Sequence, residues 1–311
     1  MLTFFGRAVT SPQRIGSSIF AAAAVTVGLA ACSTPEPALP ANTEASTVHE
    51  FLTSTDADAA LGRISTYDWP DDGAKPAGYF TWIGPDATSD NPRVATRAGE
   101  AAYVLAEFLA GNESALSSIA PELIDAYATA LTPFQAAMVG YDDGVRGFGA
   151  LGGPDDLSAA RSVFAVIATD PDTGRQFIDS AYTRAAEIAA TAAEQGCQDR
   201  AVAADVGPPA VRAAAELSGV AASADHQLSD RPPPLWDVAH AMARACVAVT
   251  KEPPQGAIID YIENGELLPA DVVRQRDTTL EIYYQTQRDY VSNQGLSLSE
   301  FYDWWKEALG R

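Results

Sequence analysis

The chain has 311 residues, with 41 Asp and Glu against 20 Lys and Arg, and a net charge of −21 when its three histidines are neutral. That balance excludes a nucleic-acid surface and electrostatic adhesion to anionic lipid headgroups, since both need cationic faces. Three histidines and three cysteines also leave little material for a zinc site, which takes three or four converging ligands.

Positive charge in the first stretch is confined to Arg7 and Arg14, and the apolar run Ile19–Ala30 that follows has 12 residues. A hydrocarbon core takes about 20, so the run has the basic-then-apolar order of an export signal rather than the length of a membrane span. Leu29, Ala30 and Ala31 then lead directly into Cys32. VGLAAC, residues 27–32, resembles the lipobox of bacterial lipoproteins. The resemblance implies cleavage before Cys32, removal of residues 1–31 and a diacylglycerol on the Cys32 thiol. It places the chain on the extracytoplasmic face of the cell membrane, held by acyl chains such as palmitate, two of which suffice for stable anchoring. The alternatives are a plain secretory signal with an incidental cysteine, and an uncleaved membrane helix. Much alanine and acid, with arginine favoured over lysine, suits a high-GC actinobacterium.

Residues 32–47 carry Pro35, Pro37 and Pro40 among Ser, Thr, Glu and Ala, a composition expected to form a flexible tether. The remaining 48–311 is expected to be an α-helical domain. Its first part, 48–90, reads as irregular, because Pro70, Gly73, Pro76, Gly78, Gly84 and Pro85 break any long element. Within it AGYFTWIG, 77–84, forms a short strand or packs into the core; a lone strand has no partner here, so packing is expected. The acidic DWPDDG at 68–73 reads as a solvent-facing turn.

A period near 3.6 begins at Asn91-Pro92, a cap and first-turn proline, and Val94, Ala98, Ala101, Leu105, Phe108 and Leu109 line one face up to Gly111. Further helices are expected over 114–131 with a restart at Pro121, after Thr132-Pro133, after Asp155 or Asp156, and from Asp170-Pro171 to a stop near Gly196. Residues 199–226 read as two helices split by Gly207, Pro208 and Pro209, and another restarts after the three prolines before Leu235. IIDYIENG reads as a brief helix, 270–292 as one long helix, and the last helix as opening on a Ser297–Glu300 capping box. Period-2 alternation is nearly absent. The chain is therefore predicted to be all-α, an irregular multi-helix bundle-like domain, either one body or two lobes dividing near 196–210.

With Cys32 assigned to lipid, Cys197 and Cys246 remain, and in an exported protein they are expected to form a disulfide. The most unusual loop is 138–156, rich in glycine and aspartate around Tyr141, Arg146 and Phe148. Asp142, Asp143, Asp155 and Asp156 offer hard oxygens, yet their spacing departs from a calcium loop, and no lysine-serine or lysine-threonine pair makes a phosphate-binding loop. Three readings stay open: an inter-helix loop whose acids cap helices, a partner-binding loop, and a metal site.

His49, His226 and His240 lie far apart in sequence, and His240 with Asp237 at i and i+3 reads as a surface pair. No G-x-S-x-G elbow or H-E-x-x-H is present, and 41 acids supply carboxylate pairs by chance too often to nominate one. Tyr283, Tyr284, Tyr290, Trp304 and Trp305 either fill a core or form a hot-spot surface.

NPRVATRAGEAAYVLAEFLAG, APELIDAYATALTPFQAAMVG and LGGPDDLSAARSVFAVIATDPDTGRQFIDSAYTRA, within residues 91–190, resemble an uncharacterised helical region of actinobacterial secreted proteins. The resemblance carries no catalytic motif and implies a scaffold or recognition role. A non-enzymatic lipid-anchored envelope protein that contacts another envelope or secreted protein is the expectation, with no cofactor, no metal and no nucleic acid. An envelope hydrolase and a carrier of a small or lipidic ligand are the rivals. A deep pocket of perturbed carboxylates favours the first rival, and an enclosed apolar cavity favours the second.

Overall fold

The computed structural model describes residues 35–149, 151–153, 156–227, 232–250, 253–276 and 279–310; Cys32 and Asp155 lie outside them. Across these residues the chain is all-α apart from one small hairpin.

The segment expected to be irregular is helical in four short pieces: α1 (Ala45–Leu52), α2 (Ala57–Thr66), α3 (Ala74–Ala77) and α4 (Ile83–Ala87). Glycine and proline limit the length of each piece without preventing it, because Val48, Leu52, Leu61, Ile64, Phe80 and Ile83 all enter the core. The part of the expected tether that is described also lies on this body: Pro37 is buried, Leu39 packs against the core, and Glu36 pairs with Lys75. Packing of two apolar residues there outweighs a tether-like composition. DWPDDG is a turn whose three aspartates and Pro70 face solvent as expected, while Trp69 and Gly73 anchor it to the body. Trp69 is buried with its Nε1 donating to the Ile64 carbonyl at 2.8 Å, and the Asp72 carbonyl accepts from the amide of Glu122 at 3.0 Å.

Helix α5 (Pro92–Gly111) starts where Asn91 caps the Arg93 amide at 3.1 Å. It packs against α4, α6 (Pro121–Leu131) and α8 (Ser158–Ile167), with the single-turn α7 (Gln135–Met138) between the last two in sequence. Large side chains fill this part: Phe80 meets Tyr127 edge-on at 4.8 Å, Phe164 meets Phe177 at 4.6 Å, and the buried Tyr127 hydroxyl pairs with Ser65 at 2.9 Å.

The second part is built on α9 (Pro171–Gln198), α10 (Arg200–Ala224) and α11 (Pro234–Val249). Asp170 caps α9 through the amides of Asp172 and Thr173. One residue, Asp199, separates α9 from α10 and caps the latter through the Ala201 amide at 2.9 Å. The expected stop near Gly196 comes two residues later, because Gly196 serves packing: a Cβ there would lie 3.1 Å from Ala203 on α10. Residues 196–210, considered as a lobe boundary, lie in this hairpin inside the single unit Glu36–Arg311. Gly207, Pro208 and Pro209 do not split α10. The two prolines release the carbonyls of Ala204 and Asp205, which belong to exposed residues where solvent has access, so the break costs little.

Beyond α11 the expected brief helix is a 3₁₀ turn, Ala257–Tyr261, running into a hairpin of β1 (Ile262–Glu263) and β2 (Glu266–Leu267), with Ile262 opposite Leu267. Its two-residue turn is Asn264-Gly265, with φ of 53° and 83°, the geometry that this dipeptide favours between strands. The expected long helix is two, α12 (Ala270–Arg274) and α13 (Leu280–Asn293). α14 (Phe301–Leu309) begins later than a Ser297 cap would place it, since Ser297 Oγ accepts from the Ser299 amide while Leu296 and Leu298 are drawn into the core. α14 lies along α10, where Gly219 admits its backbone.

Candidate functional site

Alanine at helical spacing makes a helix face that lies flat. Ala186 and Ala190 on α9, with Ala241, Ala245 and Ala248 on α11, floor a groove of about 660 Å3 between the two helices. Asp179, Glu187, Asp237 and Arg244 stand around it with Tyr182 and Thr183. Cys197 in the last turn of α9 and Cys246 in the last turn but one of α11 are at disulfide distance, with their Cα atoms 5.3 Å apart. The cross-link fixes the spacing of the groove walls at their C-terminal ends. Sequence reading did not find this groove, because alanine is equally a core residue and a groove floor.

The 138–156 loop lies across α9 from the groove, and Arg184 joins them. Its Nη2 reaches Asp143 at 3.0 Å, and its Nη1 reaches the groove residue Glu187 at 3.2 Å. The Asp143 side chain is only 3% exposed, so the pair ties the loop down on its inner side. Asp142 accepts from the Gly144 amide at 3.0 Å, and Asp156 from the Ser158 amide at 2.9 Å at the start of α8; the Ser158 hydroxyl first and its amide second hold the Asp156 carboxyl below its ordinary value. Tyr141 is half-buried, and burial pushes its hydroxyl up. Phe148 stacks on Phe134 at 5.2 Å and takes Tyr103 edge-on at 5.6 Å.

The tightest contact is backbone on backbone: a Cβ at Gly99 of α5 would lie 1.8 Å from the Arg146 carbonyl oxygen. Arg146 itself is exposed, and among the described loop aspartates Asp143 is taken by Arg184 instead. Asp142, Asp143 and Asp156 act separately, and no group of three or more His, Cys, Asp or Glu converges among the described residues.

The histidines are equally dispersed. His49 meets Glu100 at 2.8 Å. His240 is not paired with Asp237; it is half-buried, and its Nδ1 lies 3.3 Å from the Tyr283 hydroxyl and 3.4 Å from Gln287 Nε2. Burial, and then the charge of Arg244, lowers the His240 imidazole below its ordinary value. Tyr283 also donates to the Leu268 carbonyl, and burial raises its phenol strongly. Tyr283, Tyr284 and Tyr290 are buried and Trp304 and Trp305 half-buried, so these five side chains mainly fill the core. Trp236 stacks on Tyr284 at 4.6 Å. No helix among the described residues is long and apolar enough to cross a membrane. Comparison with protein-family models, curated proteins and solved structures gives no match.

Proposed function

We propose that this is a lipid-anchored protein of the cell envelope that binds another protein by receiving an amphipathic helix in the α9–α11 groove. The observation that carries the reading is the floor of five alanines between two helices cross-linked through Cys197 and Cys246. A floor of methyl groups lets a third helix approach to the short end of the usual 8–10 Å separation, so that its larger apolar residues fill the groove. The charge of −21 selects a partner helix whose polar face is basic. Anchoring rests on the lipobox at Cys32, and the cross-link suits the oxidising side of the membrane.

The volume of the groove favours a second reading, since small apolar ligands occupy pockets of about 300–1,000 Å3. A photo-crosslinking residue at Ala245, in cells carrying the full chain, separates the two. An adduct mapped to a basic amphipathic helix, and lost when Ala186→Trp fills the groove, is the expected result. An adduct of lipid or small-molecule mass supports the second reading, and no adduct above that from a crosslinker at exposed Ser292 refutes both. Anchoring is checked separately: Cys32→Ser is expected to move the chain out of the membrane fraction, and the wild-type sulfur to carry diacylglycerol by mass spectrometry.

A further inference from the structure

Three helix ends meet at a second cleft that shares no lining residue with the groove: the start of α10 at Arg200, the end of α11 at Thr250, and the end of α13 at Tyr290, Asn293 and Gln294. Together with Gln255 they line a polar cleft of about 330 Å3. The walls are held in three independent ways. Cys197 and Cys246 join α9 to α11, Arg200 Nη2 donates to Gln294 Oε1 at 2.9 Å, and Leu296 sits where a Cβ at Gly207 would come within 2.8 Å of it. A cleft with fixed walls needs little reorganisation to bind.

Its chemistry is unlike that of the rest of the surface. In a chain with twice as many acids as bases, no carboxylate is among the described residues lining this cleft. Arg200 has five N–H donors, and its recorded side-chain partner is an amide oxygen. Tyr290 is 4% exposed, and its Oη is buried with no hydrogen-bond partner among the described residues. Such a hydroxyl costs free energy unless something satisfies it. Asn293, Gln255 and the amide nitrogen of Gln294 add neutral donors. A guanidinium with no carboxylate among the described lining residues, an unsatisfied phenol and three amides make a donor-rich pocket, and the complement is a small molecule bearing an oxyanion.

We infer that this cleft is a binding site for a small oxyanion-bearing ligand, a carboxylate or a phosphate, held by Arg200 with Tyr290 and the side-chain amides around it. The negative charge of the chain as a whole opposes the approach of any anion, so discrimination comes from local contacts, and added salt weakens binding less than it does on a basic protein. The site is independent of the α9–α11 groove and does not rest on what that groove binds.

The test is calorimetric titration of the full chain in detergent with inorganic phosphate, citrate and, as a neutral control, glucose. Saturable binding of phosphate, of citrate or of both is expected, and which of them binds tells a phosphate ligand from a carboxylate one. Arg200→Gln is expected to weaken it about tenfold or more, by loss of a charge-assisted contact. Tyr290→Phe is expected to weaken it a few-fold while the melting temperature stays level or rises, which a purely structural tyrosine would not give. Asn293→Leu, at an exposed position, provides a variant with little bearing on folding. Saturation by neither anion below about 10 mM, equal affinity for glucose, or unchanged affinity in both Arg200→Gln and Asn293→Leu overturns the site.

Discussion

Two regions of this molecule bury apolar surface in different ways. Around α5 to α8 alanines alternate with large side chains, Leu105, Phe108, Tyr127, Phe134 and Phe164 among them, and the 138–156 loop is pressed onto α5 with no room for one added carbon at Gly99. Along α9 to α11 many of the buried residues are alanines, including Ala185, Ala189, Ala192 and Ala193 on α9 and Ala210, Ala213, Ala214 and Ala215 on α10, and Phe177 is the one buried aromatic among the described residues of these helices. A buried methyl contributes roughly 0.8 kcal/mol, where a buried leucine or phenylalanine contributes about 1.5–3. The alanine region gains close helix approach at the expense of burial per residue. It therefore relies on a cross-link that the aromatic region does not have, and it is also where the groove lies.

The largest expected effect removes that cross-link. Cys197 and Cys246 are 49 residues apart, and closing such a loop restrains the unfolded chain by about 4 kcal/mol on the entropic account. The double variant Cys197→Ala/Cys246→Ala is expected to lower the urea midpoint accordingly. Hydrogen exchange should show protection lost along α9–α11 first and retained longest along α5 and α6. Equal loss in both regions would remove the distinction drawn here.

Next in size is Gly99→Ala. Its new carbon would fall 1.8 Å from the Arg146 carbonyl oxygen, and the facing Gly147 has its own Cβ position 2.1 Å from the Thr96 carbonyl, so neither backbone has room to yield. A loss of about 3 kcal/mol is expected, read from chemical denaturation, with proteolysis in the 141–149 loop rising at the same time. Arg184→Met is smaller. It leaves the buried carboxylate of Asp143 without its cation, but Arg184 is 38% exposed and water replaces part of the contact, so about 1–2 kcal/mol is expected. The same variant frees Glu187 on the groove side, and partner crosslinking at Ala245 reports whether loop and groove act together.

How far the fold was legible follows from which signals were local. Asn91 with Pro92 and Asp170 with Pro171 mark helix starts because the cap and the fixed proline dihedral act within four residues, and both helices begin there. Pro208 and Pro209 misled because the cost of a helix proline depends on whether the released carbonyls are exposed, which is a property of the packed helix. Asn264-Gly265 was a readable hairpin signal, obscured by the helix-like run of Ile258, Ile259 and Ile262. Of the loop residues singled out, Asp143 and Phe148 are engaged by the body through partners distant in sequence, Arg184, Tyr103 and Phe134, whereas exposed Asp142 and Asp156 accept from amides two residues on. The groove and the polar cleft were illegible for one reason: each is lined from helices far apart in the chain by residues that are unremarkable singly.

The smallest effect is a test of pH, and it falls in the alanine region. His240 on α11 faces Tyr283 and Gln287 of α13, and Arg244 one turn along its own helix adds a positive charge. Burial first and Arg244 second lower its folded value below the ordinary 6.5, so between those two values the unfolded chain binds more protons than the folded one. Stability from this residue is thus fully present above 6.5, falls as pH drops through 6.5 towards the folded value, and levels off below it, where both states are protonated. Urea midpoints at several pH values between about 7.5 and 4.5 should show this step in the wild type and lose it in His240→Asn, leaving only the slope from the carboxylates. If the two proteins trace parallel curves, the α11–α13 contact tolerates a charged imidazole, and the junction is wetter than the burial of Gln287 and Tyr283 implies.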